Sequence, residues 1–434
     1  MNNVNELELK VDSPPQKIFE ARDETFGVLG YVVIDRPILG KASGGIRFAP
    51  DITIEEVSSL ARSMTYKWGF LNIPMGGAKG GIFVNPEQLG IDRKTLMEAF
   101  GRSISPLVQQ EEYLPGVDLG TTLDDLILIM RAAGKPLAEQ QIDGSFCTAL
   151  TVFETIKQIV KISNEDCRNL AVAIEGYGKV GSSLSVLLDQ IGMKLVATST
   201  EEGAIVHPDG LDVNILQSLK EKYGNLLVHH YPGVSRINTS ELFIQPVDIL
   251  VPGARPYVLN SDNVNAINAK WIVPISNIPT TLENEDILLQ RNKLVIPDFL
   301  ANCGGVLSSH MLSMGFSEKD VQRLVESQFS KIVYKILSDA NLQGGVVREI
   351  SQEVAWKNHL RLNDPDSSSE TRTARLIGVI REEGVSGFWR RLAWRIHQNW
   401  PSVNGGIHNA AVDQYGVWGL GKTIKQVYSR DTVN

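Results

Sequence analysis

Ala171-Val172-Ala173-Ile174-Glu175-Gly176-Tyr177-Gly178-Lys179-Val180-Gly181 runs an apolar strand into glycines spaced G-x-G-x-x-G, and Ser182 to Leu188 continues as a helix. In that setting Gly176 permits the sharp turn. Gly178 lets the backbone approach a pyrophosphate, and Gly181 allows helix and strand to pack closely, with the helix amides facing the phosphates. A glycine triplet alone is as well explained by a tight structural turn; placed between a strand and an amphipathic helix it reads as a dinucleotide site. About 20 residues on, where an acid would hold the adenosine ribose, stand Thr198-Ser199-Thr200, followed by Glu201 and Glu202. Thr200, with Lys179 inside the loop, tolerates a 2'-phosphate, whereas a rotation bringing in Glu201 favours the free ribose. The spacing fits NAD and NADP alike.

Working outward, short apolar runs alternate with helical patterns, as in a parallel sheet built from strands and crossover helices. The runs are Leu170 to Glu175, Lys194 to Ser199, Ile249 to Val251, Trp271 to Pro274 and Leu294 to Ile296. They define a Rossmann-like α/β domain over 147–335. Residues 1–146 form a separate α/β domain, and 336–434 hold return helices, a linker and a carboxy-terminal extension expected to be helical. Asn363-Asp364-Pro365-Asp366-Ser367-Ser368-Ser369-Glu370 has turn formers and no apolar face, so it reads as the linker.

The bulk properties agree with two cores: 434 residues, of which 43% are hydrophobic. A net charge of -8 without a basic stripe speaks against nucleic acid. Cys147, Cys167 and Cys303 are isolated, so neither a disulfide framework nor a thiolate metal site is expected, and a cytoplasmic location fits. His397 and His408 are likewise too isolated to suggest a metal. There is no signal-peptide pattern at the start and no apolar run of about 18 residues that would span a membrane.

In the amino-terminal domain, Thr53 and Glu56 have capping-box spacing, and Val57, Leu60, Ala61 and Met64 share one face of the helix that follows. Lys67 follows Met64 and Leu60 on that stripe, where an ammonium needs an anion: an ion-pair partner or a substrate carboxylate. Pro74 stops the helix, and Met75-Gly76-Gly77-Ala78-Lys79-Gly80-Gly81 reads as a tightly bent loop. The small neighbours leave Lys79 in an open shell, where partial desolvation beside a second ammonium would lower its pKa toward that of a working acid or base. A surface lysine on a flexible loop is the plainer reading. Asp118, in Pro115-Gly116-Val117-Asp118-Leu119-Gly120-Thr121-Thr122, is either a cap for the helix from Leu123 to Ala133 or, if Thr121 or Thr122 caps it, free to face a site. A further helix is expected from Thr148 to about Val160.

Taken together, Gly44-Gly45-Ile46-Arg47-Phe48, Met64-Thr65-Tyr66-Lys67, Pro74 through Gly81, Asp118-Leu119-Gly120-Thr121, the glycine triplet, Asp248 through Pro252, Asn277-Ile278-Pro279-Thr280-Thr281 and Pro297-Asp298 through Asn302-Cys303-Gly304-Gly305-Val306 resemble the glutamate, leucine, phenylalanine and valine dehydrogenase family over positions 25 to 335. The resemblance implies an NAD(P)-dependent enzyme interconverting an L-amino acid with its 2-oxo acid and ammonia, with hydride transfer across a cleft between two domains. It implies a homo-oligomer, commonly a hexamer or octamer. It gives Lys67 the substrate α-carboxylate, Lys79 the activation of water, and Asp118 a proton shuttle to the substrate nitrogen. Thr148 matches a position beside the nicotinamide, Asn277 one near its ribose, and Ser309 one that shapes the side-chain pocket.

Ser43 departs from the pattern, since glutamate-specific members carry a lysine there and branched-chain or aromatic-specific members an apolar residue. Lys41, on the same face of a strand, is either a substitute or a solvated turn residue. Ser309 is glutamate-like, so the pocket residues conflict over whether glutamate or a neutral amino acid is the substrate. Five of seven tryptophans, Trp356, Trp389, Trp394, Trp400 and Trp418, lie in the last fifth of the chain. Buried packing of the tail explains them better than a basic amphipathic helix over Phe388 to Ile396. Two other readings compete with the enzyme: a non-catalytic sensor of amino acid or dinucleotide, and a 2-hydroxy-acid dehydrogenase, which would want a histidine and arginine that no motif here supplies.

Overall fold

Gly27 to Arg36 carries Leu29, Val32, Val33 and Ile34, all buried, and this apolar run forms a central strand of the first of two sheets. The computed structural model describes residues 13–137 and 143–363. These fall into two units: the described residues up to Gly69 with those from Pro74 to 137, and Phe70–Ile73 with those from 143 onward. The linker after Asn363, the helix expected over Phe388 to Ile396 and four of the five carboxy-terminal tryptophans lie outside the described residues; Trp356 lies in the helix Gly344–Asn363.

The sheet of the first unit has five strands, β1 (Lys17–Asp23), β2 (Gly27–Arg36), β3 (Ala42–Phe48), β4 (Gly76–Ile82) and β5 (Tyr113–Val117), in the order β1-β2-β4-β3-β5. β1, β2 and β4 are antiparallel neighbours, while β3 runs parallel to β4 and β5. Alternation along β3 and β4 sends Ala42, Ile46, Ala78 and Ile82 to one face, where they pack with Leu96, Phe100 and Ile104 of α2 (Arg93–Gln109) and Ile129 of α3 (Leu123–Ala132). The other face receives α1 (Ile54–Phe70), whose Val57 and Ala61 join Val33 and Ile52. Thr53 Oγ1 accepts from the Glu56 amide at its first turn, as the capping-box spacing predicts.

The glycine-rich stretch around Lys79 is therefore not a bent loop. It is β4, a strand buried at every residue from Gly76 to Ile82 and flanked on both edges. None of its glycines takes a positive φ. They serve close approach: a Cβ on Gly77 would lie 2.2 Å from the Thr65 backbone nitrogen of α1, and one on Gly81 would lie 2.6 Å from the Val57 side chain. The sequence pattern of a turn and that of a strand lying directly under a helix use the same residue for different reasons.

In the second unit, α4 (Ser145–Ser163) begins three residues before Thr148, and a seven-stranded sheet follows. Its strands are β6 (Ala171–Ile174), β7 (Lys194–Thr200), β8 (Gly203–Val206), β9 (Ser235–Ile237), β10 (Ile249–Val251), β11 (Trp271–Ile272) and β12 (Leu294–Val295), in the order β12-β11-β10-β6-β7-β8-β9. All five apolar runs are strands and pair in parallel. β8 and β9 extend the sheet as an antiparallel edge outside the five runs read from the sequence. α5 (Lys179–Gln190) crosses from β6 to β7, whereas the other neighbour of β6 is β10; the order reverses there, and in such sheets that crevice is where ligands bind.

The role of Gly77 is directly testable. Gly77→Ala is expected to destabilise the chain by about 1–3 kcal/mol or more, read as an earlier midpoint in urea. Gly116→Ala, whose added Cβ would meet only Gly45 Cα at 4.0 Å, should leave the midpoint close to wild type. Equal midpoints for the two variants would show that α1 does not rest on β4.

Candidate active site

Lys79 projects from the centre of β4 toward the face covered by α1, with its residue only 2% exposed. Its Nζ lies 3.0 Å from Asp118 Oδ1. Asp118 follows β5 in a turn fixed by Thr121, whose Oγ1 accepts from the Asp118 amide and donates to the Ile46 carbonyl of β3. Thr122 caps α3 in a reciprocal pair with Asp125, so Asp118 is not the cap and its carboxylate is available to the cluster. Gly45 makes room for it, since a Cβ there would sit 2.8 Å from Asp118 Cβ.

Arg47 completes the group. From β3 it donates through Nε to Asp118 Oδ2 at 2.8 Å and through a terminal nitrogen to Glu56 Oε1 of α1, also at 2.8 Å. Burial pushes the Asp118 carboxyl up, but Lys79 and Arg47 outweigh it and hold it below its ordinary value. For Lys79, burial is the largest influence, and with Arg47 it outweighs Asp118, so the ammonium gives up its proton more readily than a free lysine. Burial also works against the Arg47 charge, yet Asp118 and Glu56 more than compensate.

Lys67 occupies the last turn of α1 and is buried, as its place on the apolar stripe predicts. That turn lies against β3, where Trp68 Nε1 donates to the Ser43 carbonyl. The Ser43 hydroxyl donates to the Leu114 carbonyl of β5, and Lys41 is paired with Glu111 at 2.5 Å. Glu111 also takes Lys135, and both lysines hold its carboxyl below its usual range. Lys41 is thus neither a solvated turn residue nor an uncommitted cation.

The remaining candidates belong to the second unit. Gly176 has φ +86°, its amide donating to Ser199 Oγ, and a Cβ on Gly181 would lie 2.1 Å from the Gly176 carbonyl. Gly178 is the N-cap of α5 with no side-chain cap, and an added Cβ there would meet nothing within 4 Å. The Glu175 carboxylate accepts the amides of Gly253 and Ala254, tying the end of β6 to the loop after β10. Burial pushes this carboxyl up despite the two amides. Lys179 pairs with Asp143, whose pKa lies at about 2: burial raises it, while Ser145 and Lys179 pull it down further than that. Thr148 Oγ1 donates to the Gly144 carbonyl in the first turn of α4. Asn277 is half-buried and Ser309 exposed. The Thr200 hydroxyl donates to the Asn225 carbonyl, and Asn225 donates in turn to Glu201.

Residues 16–135 match the model of the Glu/Leu/Phe/Val dehydrogenase dimerisation domain, and residues 144–360 that of Glutamate/Leucine/Phenylalanine/Valine dehydrogenase. The chain is 34% identical to a glutamate dehydrogenase of Thermotoga maritima over 315 residues, 68% of this chain and 74% of that one. The chain belongs to the Glu/Leu/Phe/Val dehydrogenase family. An NAD-specific glutamate dehydrogenase of Staphylococcus aureus is 33% identical, again over 68% of this chain and 74% of the relative. Among solved structures, the hetero-hexameric glutamate dehydrogenase of Thermus thermophilus in a leucine-bound form superposes with a TM-score of 0.64 at 26% identity, covering 80% of this chain and 88% of that one. L-Tryptophan dehydrogenase from Nostoc punctiforme shares the fold, with a TM-score of 0.55 at 21% identity, over 80% of this chain and 96% of the other.

Family membership makes the chain an NAD(P)-dependent amino-acid dehydrogenase, an oxidoreductase acting on a CH–NH2 group. The second unit fits that cofactor: Gly178 offers open space, the α5 N-terminus has no side-chain cap, and the buried Asn302 Oδ1 has no hydrogen-bond partner while its Nδ2 donates to Ile275 and Ser276. Arg47, Asn302 and Lys220 are residues that sequence reasoning did not single out, and Glu56 is read there only in a capping role. Lys220 Nζ donates to the Gly178 carbonyl at 2.7 Å and to Ser182 Oγ. Arg47, Asn302 and Glu56 lay inside motifs, but nothing in spacing marked them as part of a site. No helix among the described residues is long and apolar enough to cross a membrane.

Gly178→Ala tests the phosphate cradle without disturbing the fold. Because its Cβ meets only open space, the melting temperature should stay at the wild-type value while dinucleotide affinity falls at least tenfold. Gly181→Ala should instead lower the melting temperature, since its Cβ runs into the Gly176 carbonyl. Unchanged dinucleotide affinity in Gly178→Ala would place the cofactor elsewhere.

Proposed function

We propose that the Lys79–Asp118 pair is the catalytic couple of an L-amino-acid dehydrogenase that forms 2-oxo acid and ammonia, and that Lys67 holds the substrate α-carboxylate. The observation that carries this reading is the 3.0 Å contact between a buried ammonium, inclined to lose its proton, and a carboxylate held ionised by a second cation. Bound NAD(P) supplies the hydride acceptor. The ionised Asp118 takes a proton from the substrate ammonium, leaving the nitrogen lone pair that drives loss of hydride from the α-carbon. Lys79, as a free amine, then removes a proton from the water that attacks the imino carbon, and Asp118 returns its proton to the nitrogen; as the C–N bond breaks and the C=O forms, the hydroxyl proton goes to the departing ammonia and Lys79 releases its proton to solvent. Thr148 and Asn277 line the nicotinamide end of the cofactor in this reading, with Ser309 at the substrate side chain.

Two substrate readings have support. Glutamate is favoured by the names of the relatives at 33% and 34% identity. A neutral amino acid is favoured by the amino-terminal unit itself, where Ser43 replaces a lysine, its hydroxyl is committed to Leu114, and Lys41 is neutralised by Glu111. The geometry supports the neutral side chain better, because a buried carboxylate without a cation is costly. NAD is the cofactor in this reading: Glu201 and Glu202 follow β7 directly and repel a 2'-phosphate, while Lys179 and Lys220 already have partners. The enzyme works as a homo-oligomer in the cytoplasm, where its three free thiols stay reduced.

The test is a spectrophotometric screen of amino acids with NAD and NADP. Appearance of reduced cofactor with neutral amino acids and NAD, at rates above those with glutamate, is expected; faster oxidation of glutamate would reverse the substrate choice, and no reduction with any amino acid would leave a sensor. Lys79→Ala should lower kcat by a factor of about 10²–10⁴ or more with dinucleotide affinity intact. Wild-type turnover in that variant would remove Lys79 from the mechanism.

A further inference from the structure

Glu56, Arg47, Asp118 and Lys79 form a row of alternating charges drawn from α1, β3, the turn after β5 and β4, with successive contacts of 2.8, 2.8 and 3.0 Å. We propose that Arg47, gripped by Glu56, is the positioning residue of this enzyme, holding the Asp118 carboxylate in place as it takes and returns its proton. The inference rests on the reading of Asp118 as the proton carrier.

Arg47 is 4% exposed. A buried guanidinium with one carboxylate partner can swing about that partner; with one at each end it cannot. Glu56 lies in the first turn of α1, where its amide donates to Thr53 Oγ1, so the N-terminus of the helix sets the position of Arg47. Lys67 ends the same helix. One helix therefore carries the anchor of the proton carrier at its start and the candidate carboxylate ligand at its end.

The permanence of the arginine charge gives it a role that Lys79 does not have. Lys79 is a free amine until it takes a proton from water, and while neutral it gives the Asp118 carboxylate no counter-charge. Arg47 does not titrate in the working range, so it remains the counter-charge in both states. Its charge also bears on Lys79, making the ammonium less favourable. Tyr113 of β5 also interacts with Asp118; its hydroxyl donates to the Gly44 carbonyl, and burial, with Asp118, holds its pKa well above the usual value, so it stays neutral.

The sign of each substitution follows. Arg47→Gln removes a positive charge, so both Asp118 and Lys79 hold their protons to higher pH, and the acid limb of kcat/KM for amino-acid oxidation moves up by about one unit or more. Arg47→Lys keeps the charge but not the two-ended grip: the limb should stay within a few tenths of wild type while kcat falls at least tenfold. Glu56→Gln removes a negative charge, so the limb should move the other way, to lower pH. Dinucleotide affinity should be unchanged in all three. A purely structural arginine would lower stability and turnover without moving the limb.

The experiment records these pH profiles on the full chain beside Asp118→Asn. Opposite shifts in Arg47→Gln and Glu56→Gln support the proposal, and an unmoved limb in both overturns it. If Arg47→Gln does not fold, Glu56→Gln decides alone, a shift to lower pH supporting the proposal and no shift or an upward one overturning it. Asp118→Asn separates the two levels. Its retention of turnover would overturn the role of Asp118 itself, whereas its loss of turnover with unmoved limbs elsewhere would overturn only the role of Arg47.

Discussion

A lysine ammonium enclosed in the middle of a sheet, facing a carboxylate that also holds an arginine, is the constraint to which the first unit is built. Burial alone would discharge the lysine and protonate the acid. The pair survives as chemistry because each group is judged against the others: Asp118 supports Lys79, Arg47 opposes it, and both cations support Asp118. The outcome is an ammonium that gives up its proton more readily than a free lysine, beside a carboxyl held below its ordinary value. That is the combination needed to take a proton from an ammonium and another from water.

The backbone pays for this arrangement with side chains it does without. β4 has glycine at four of its seven positions, and they let α1 lie against it and the neighbouring strands crowd it. β3 has glycine at two positions, one under the Ala78 carbonyl and one under Asp118. With so few side chains on these strands, Lys79 and Arg47 are the large groups on the face beneath α1, and the helix roofs them. In the second unit glycine has a different task at each position of one loop: a positive φ at Gly176, an open surface at Gly178 and a close contact at Gly181. Asparagine adds a buried acceptor, Asn302 Oδ1, in the same unit.

How much could be read in advance depended on whether a signal was local. The glycine triplet and the five parallel strands of the second sheet declare themselves through short-range patterns, and the structure places them as read. The short antiparallel edge of β8 and β9 falls outside the five runs, although β8 itself carries Ala204-Ile205-Val206. Lys79 stood out by its small neighbours, but the inference from glycine to loop failed, because crowding by α1 and β3 is a tertiary cause invisible in sequence. For Asp118 the sequence left cap and site residue open, and Thr122 takes the cap. The grip of Glu56 on Arg47 was not legible. The two lie nine positions apart on a helix and a strand, and only the fold brings them to 2.8 Å. Ser43 and Lys41 posed the substrate question from sequence, while their partners Leu114 and Glu111 come from some seventy residues further on.

The most direct test of the central claim is a crystal structure of the chain with reduced dinucleotide and a 2-oxo acid. The account predicts the acid's carboxylate on Lys67 and its 2-oxo oxygen within hydrogen-bond distance of Lys79 Nζ, with Asp118 still held by Arg47. A 2-oxo acid bound with its reacting carbon out of reach of both Lys79 and Asp118 would contradict it.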